Sequence, residues 1–271
     1  MNPVMFTFGK FEIRWYSVLI LIGVLLAYEL AAFEGKKYKA PKDFMFNLTF
    51  WTVIFGLIGA RLYYVVFNWQ LYSHDLTSIF KFWEGGLAIH GGIFAGLITM
   101  YLYCKKYKVR LLKITDIAVP SLLIAQAIGR WGNFFNSEAH GAATTLAELK
   151  ESKIIPEFVI NGMNINGIYY VPTFYYESIW CLLGFIIVLI IRNRKKTKLG
   201  TLTAFYLMWY SFGRFFIEGS RTDSLMLFGL KAAQIASVIL FIIGLVIIMI
   251  NSRKSAFDDN YQETTFDEVR F

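Results

Sequence analysis

Seven apolar stretches of the 271-residue chain read as candidate membrane spans, and no other feature limits the fold as tightly. A spanning helix needs about 20 mostly apolar residues, because the hydrocarbon core is about 30 Å thick and contains no water to satisfy open backbone groups. The runs are 15–33, 44–67, 87–103, 114–135, 173–191, 201–217 and 232–250. Hydrophobic residues make up 56% of the chain and aromatic residues 18%, an excess over soluble compositions that makes sense when lipid faces much of the surface. The first run lacks a strongly basic leader and a small-residue cleavage site, so it reads as a span and not as a secretory signal. The expected fold is an all-α integral membrane protein of about seven transmembrane helices, with a polytopic domain over 1–250.

The net charge of +8 raises the question of a nucleic-acid partner. The placement of the basic residues argues against one. They cluster in every second connection: Lys36, Lys37, Lys39 and Lys42; Lys105, Lys106, Lys108, Arg110 and Lys113; Arg192, Arg194, Lys195, Lys196 and Lys198; then Arg253 and Lys254. The alternate connections are poor in Lys and Arg: 68–86 carries Lys81, 137–171 carries Lys150 and Lys153, and 218–231 carries Arg221 and Lys231. Basic loops favour the cytoplasmic side, so the N-terminus is expected outside and the C-terminus in the cytoplasm. Segment 137–171 holds the steps Asn161-Gly162 and Asn166-Gly167, flanked by 158–160 and 168–171, which suggests a β-hairpin in a small external cap. The tail 251–271, with Asp258, Asp259, Glu263, Asp267 and Glu268, is expected to be solvated and partly disordered. Cys104 and Cys181 form no CxxC pair, and His74, His90 and His140 are too scattered for a local zinc motif, so neither metal nor cofactor is expected.

Ionisable groups inside a span are costly and therefore mark candidate sites. At a rise of about 1.5 Å per residue, Arg61 lies roughly 26 Å, Arg130 roughly 24 Å and Arg214 roughly 20 Å from the cytoplasmic start of their helices. All three are thus displaced toward the outer face of a core about 30 Å thick. The descending helices carry Tyr16, His90, Tyr176 and Glu177 within a turn or so of their outer ends. Four motifs therefore share one depth: RWY at 14–16, HGG at 90–92, GRWGNFFNSE at 129–138 and RFFIEGSR at 214–221. Arginine offers paired planar donors suited to phosphate and keeps its charge when partly desolvated, which points to an anionic phospholipid. Arg214, Glu218 and Arg221 lie along one helical stripe, and Asn133 and Asn136 add neutral hydrogen-bonding groups.

At these residues the chain closely resembles the prolipoprotein diacylglyceryl transferases. GRWGNFFNSE matches the family signature, and RWY (14–16), GGLAIHGG (85–92), PTFYYES (172–178) and WYSFGRFFIEGSRTD (209–223) follow in family order. Two positions depart: Val171 stands where the family often has histidine, and Tyr175 where an aliphatic residue is common. The resemblance implies transfer of the diacylglyceryl group of phosphatidylglycerol to the lipobox cysteine of a preprolipoprotein signal peptide, giving a thioether and glycerol phosphate. It implies a bacterial inner membrane and a site toward the outer face. It further implies that His90 serves as general base, that Arg130 and Arg214 hold the lipid phosphate, and that Tyr16 and Glu138 act with them. Asn133, Asn136, Gly141, Tyr210, Glu218 and Arg221 complete the phosphatidylglycerol site.

Each residue also has a structural reading. Arg130 pairs with Glu138 or Glu177 merely to fasten helices, Arg61 snorkels to the interface, Tyr16 belongs to the aromatic belt, and His90 is a packed histidine. The competing function is an anion transporter, for which internal repeats and a midplane site are expected; the chain shows no repeat and its polar groups lie off the midplane. A lipid-binding scaffold is the third reading, and it leaves the convergence of charged groups unexplained.

Overall fold

All seven apolar runs are helical in the computed structural model, which describes residues 2–9, 11–41, 43–222, 224–227, 229–253 and 260–266. The long helices are α1 (Trp15–Lys37), α2 (Phe44–Phe67), α3 (Ile89–Lys106), α4 (Leu111–Asn136), α5 (Thr173–Arg192), α6 (Thr201–Ser220) and α7 (Ala232–Arg253). Five of them, α1, α2, α4, α5 and α7, are long and apolar enough to cross a membrane by length and composition. The remaining two, α3 and α6, carry His90, Gly91, Gly92, Lys105 and Lys106 in the one and the charges of GRFFIEGS in the other, which dilute their apolar content.

The chain divides into two compact units, Met1–Ala31 with Thr115–Glu263, and Ala32–Ile114 with Thr264–Phe271. In the first unit, α5 and α6 are locked by two tryptophans. Trp180 and Trp209 stack at 4.1 Å between ring centroids. Each indole N–H donates to the other residue's carbonyl, at 2.9 and 3.0 Å. Gly213 makes room for Trp180 and Gly184 for Trp209; a β-carbon on Gly184 would come within 2.5 Å of the Trp209 ring. Asp116, fully buried on α4, accepts from the Gly200 N–H at 2.6 Å and the Thr203 N–H at 2.8 Å. It thereby satisfies amides that the start of α6 leaves open, where negative charge is also favoured.

Segment 137–171 also belongs to this unit. Its three short strands, β3 (Ala143–Thr144), β4 (Asn164–Ile165) and β5 (Ile168–Tyr170), form an antiparallel sheet of order β3-β5-β4. The sheet and two short helices, Leu146–Glu151 and Glu157–Gly162, cover a core of Phe134, Leu149, Val159, Ile160 and Phe174. Asn166 and Gly167 turn the β4–β5 hairpin with φ of 53° and 85°, as a two-residue primed turn requires. The other Asn-Gly step corrects the sequence expectation: Asn161-Gly162 closes a helix, and 158–160 is helical and not a strand. Pro156 just ahead of the helix and Glu157 in its first turn favour that outcome.

In the second unit, Arg61 proves structural. It is 2% exposed and does not snorkel. Its guanidinium donates to the carbonyls of Ile79 (2.9 Å), Ser78 (2.6 Å), Gly86 (3.0 Å), Lys81 (3.3 Å) and Gly85, and so ties 78–86 to α2. Lys113, expected only as a loop charge, is buried with its ammonium 3.2 Å from the centre of the Tyr38 ring.

The described part of the tail is packed, contrary to the expectation of a solvated end. Tyr261 is fully buried and its N–H donates to Thr197 at 2.7 Å. Phe266 packs edge-on against Phe44 and donates its N–H to Tyr38. Apolar residues scattered among the tail's acids supply the burial that a net composition hides. Lys42, Asp223, Lys254, Asp258, Asp259, Asp267 and Glu268 lie outside the described residues.

Candidate active site

The signature on α4 ends in a turn that folds back on itself. After Asn136 the backbone turns left-handed at Ser137 (φ 53°) and Ala139 (φ 56°). The Glu138 N–H returns to the Asn133 carbonyl at 3.0 Å. That reversal sets the Glu138 carboxylate over both asparagines, accepting from Asn133 at 3.0 Å and Asn136 at 3.2 Å. Asn133 in turn accepts from the Arg130 guanidinium at 3.4 Å. Left-handed geometry at two non-glycine residues is uncommon and costs energy, so a structure that retains it is holding the turn in place.

Three helices bring their charges together around Glu177 of α5. Its carboxylate meets the Arg130 guanidinium at 2.6 Å on one oxygen and the Arg214 guanidinium at 3.1 Å on the other. The Tyr210 hydroxyl approaches the first oxygen at 3.5 Å. Arg214 also pairs with Glu218 at 2.6 Å, and Glu218 lies 3.8 Å from Arg221. The stripe at 214, 218 and 221 is therefore continuous with Arg130 through one carboxylate from a third helix. Glu177 is not among the residues that the sequence assigns to the site, although its depth groups it with Tyr16 and His90 and it is one of two possible partners for Arg130. Its signal was present as an acid inside the apolar run of α5. Between the two pairings considered for Arg130, the structure selects Glu177; Glu138 reaches Arg130 only through Asn133.

The two sides of the cluster differ in burial. The Glu177 and Glu218 side chains are 4% exposed, whereas Arg130 is 22% and Arg214 16% exposed. The carboxylates form the floor and the guanidiniums the open side. Three guanidiniums thus converge on two buried carboxylates. Each guanidinium has five donors, and the contacts of Arg130 occupy two of its nitrogens. This arrangement can accept an anion with several oxygens.

Other candidate residues border the cluster. Tyr16, in the first turn of α1, packs its ring on Gly132. Gly141 donates to the Val171 carbonyl at 2.9 Å and bridges to Arg221 across an isolated backbone pair. A β-carbon on Gly141 would lie 2.9 Å from Val171 and 3.1 Å from Thr173, so glycine alone permits this approach. At position 171 the contact is made by backbone, which a valine supplies as well as a histidine. Lys231 closes the far end of α6 by donating to the carbonyls of Glu218, Gly219 and Arg221 at 2.8, 2.9 and 2.7 Å. Asn136 keeps one buried oxygen without a hydrogen-bond partner among the described residues. His90 belongs to the second unit, where it is exposed in the first turn of α3 with its ring 6.4 Å from that of Tyr63. Among the described residues, no group of three or more His, Cys, Asp or Glu is arranged to hold a metal ion.

Comparison with known proteins places the chain in a family. The sequence profile described as prolipoprotein diacylglyceryl transferase matches residues 3–250. A phosphatidylglycerol–prolipoprotein diacylglyceryl transferase of Ligilactobacillus salivarius is 47% identical over 242 residues, 89% of this chain and 90% of the relative. The protein of that name from Listeria innocua is 47% identical over 249 residues, 91% of this chain and 89% of the relative. That of Staphylococcus saprophyticus is 45% identical over 254 residues, 93% and 90% of the two chains. Likeness of this extent runs through every helix that carries a charged candidate residue, and the chain therefore belongs to the prolipoprotein diacylglyceryl transferase family.

Proposed function

We propose that the chain is a bacterial inner-membrane enzyme that transfers the diacylglyceryl group of phosphatidylglycerol to the lipobox cysteine of preprolipoproteins. The family match across 3–250 carries this reading, and the arginine cluster supplies chemistry that suits it. A cysteine thiolate attacks the glyceryl carbon that bears the phosphate. A carbon–sulfur bond forms, the carbon–oxygen bond to phosphate breaks, and its electron pair leaves on the oxygen of glycerol phosphate. The thiol ordinarily ionises near pKa 8.5, so a base must take its proton; His90, the histidine of GGLAIHGG, is assigned that role.

Arg130 and Arg214 are assigned to the phosphate, where fixed cations favour the charge developing on the leaving group. Arg221 extends the same positive edge. Glu177 and Glu218 act as positioning residues that hold the forks in place, and Glu138 does so for Asn133 and Asn136. Tyr16, Gly141 and Tyr210 shape the wall. In this reading all seven long helices span the bilayer, the N-terminus lies outside, and 137–171 caps the outer face over residues 1–250.

The test is transfer of label from radiolabelled phosphatidylglycerol to a synthetic lipobox peptide in detergent. Label is expected on the Cys peptide and absent from its Ser counterpart. It should be lost with Arg130→Ala and fall by about 100-fold or more with His90→Gln. Folded wild-type protein that transfers nothing would sink the enzyme reading, and near-normal turnover of His90→Gln would remove that residue from the mechanism.

A further inference from the structure

A groove of about 720 Å³ runs along the seam between α2 and α3, within the second unit, and none of the residues assigned to the reaction lines it. Small residues make the seam: Gly59 and Ala95 lie in contact distance and leave a furrow where larger side chains would fill it. The walls are apolar and open, with Trp51 43%, Phe55 45% and Ile98 58% exposed. Apart from Thr99, the polar groups gather at one end. There Asn47 and Lys106 line the groove beside Tyr103 and Tyr107, and Lys105 and Lys108 are exposed next to them. From Ala95 to Lys106 the lining extends about 16 Å at the helical rise. That is the depth of one leaflet in a hydrocarbon core about 30 Å thick.

We propose that this groove binds one anionic phospholipid from the leaflet on its basic side, with an acyl chain laid along Trp51, Phe55 and Ile98 and the phosphate diester at Lys106. Length, an apolar run and a single charged mouth match a lipid with one head and a tail. The alternative occupant of such a groove is the apolar helix of a signal peptide. Charge separates the two, because a signal peptide carries basic residues ahead of its apolar core. Seated here they would face Lys105, Lys106 and Lys108, whereas anionic lipid is drawn to clustered lysines. The proposed orientation only names the leaflet as cytoplasmic; the site itself does not depend on it, nor on the transferase reaction.

Native mass spectrometry of the full chain in detergent tests this, with phosphatidylserine as the anionic probe and phosphatidylcholine as the zwitterionic one. Phosphatidylserine should be retained in preference. Lys106→Gln should weaken that retention about fivefold, and Thr99→Trp, which fills the groove and leaves every lysine in place, should abolish it. Arg130→Ala should leave it unchanged, which separates this lipid from any held at the arginine cluster. Thr99→Trp should still transfer label at saturating phosphatidylglycerol, so loss of the bound lipid and loss of the reaction are read independently. Equal retention of the two lipids, retention unaltered by Thr99→Trp, or displacement of the lipid by a synthetic signal peptide would each overturn the proposal.

Discussion

Replacing Glu177 by glutamine tests the arginine cluster at its centre. The side chain is 4% exposed and joins Arg130 at 2.6 Å to Arg214 at 3.1 Å. The amide keeps the shape and one accepting oxygen but removes the charge that two guanidiniums share. Breaking a buried ion pair by neutralising one partner costs about 3–5 kcal/mol, and the retained hydrogen bond returns about 1 kcal/mol. The expected loss is therefore about 2–4 kcal/mol. The lower half is favoured because both arginines keep some access to solvent, which screens the uncompensated charge. Thermal unfolding in detergent reads this directly. An anionic lipid should stabilise Glu177→Gln more than the wild type, because it supplies the missing negative charge. The double variant Arg130→Met/Glu177→Gln should recover part of the stability and no activity. If Glu177→Gln melts with the wild type and transfers label normally, the carboxylate does not hold the two arginines, and the positioning role assigned to it is wrong.

Other substitutions address the frame. Arg61→Lys keeps the charge but loses a fork that serves five carbonyls; a loss of about 3 kcal/mol or more and faster proteolysis within 76–86 are expected, and unchanged digestion would contradict the tethering role. Gly213→Ala puts a methyl against Trp180, with an expected cost of about 1–3 kcal/mol and a loosened Glu177–Arg214 pair that shows as reduced turnover. Hydrogen bonds from the Thr144 hydroxyl, and then from the Thr145 N–H, hold the Glu148 carboxyl below its ordinary value of 4.5. A lowered folded pKa means the stabilisation is complete above 4.5 and is lost as pH falls through the folded value. Carbon NMR titration should place Glu148 below 4.5 in the wild type, with Thr144→Ala moving it upward.

The sequence by itself determined where the helices lie, because a long apolar run is a local property and the bilayer fixes its length. It also flagged the charged residues of the cluster, since any ion in such a run is costly wherever the chain goes. The stripe at 214, 218 and 221 was legible for the same reason: helical periodicity places it on one face. The choice of partner was not legible. Arg130 had two carboxylates within plausible reach, and the selection of Glu177 depends on how α4, α5 and α6 pack. The register that seats Trp180 against Gly213 also carries Glu177, one turn earlier, alongside Arg214. Arg61 looked like an interfacial snorkel until 78–86 folded back to offer its carbonyls. Residues 158–160 have a strand-like composition but become helix, because Val159 and Ile160 are buried in the core they share with Phe134 and Phe174. Tyr261 and Phe266, likewise, were hidden in an acidic tail. Pairing, tethering and burial of this kind are contacts between residues far apart in the chain, so their energies exist only once the tertiary structure has formed.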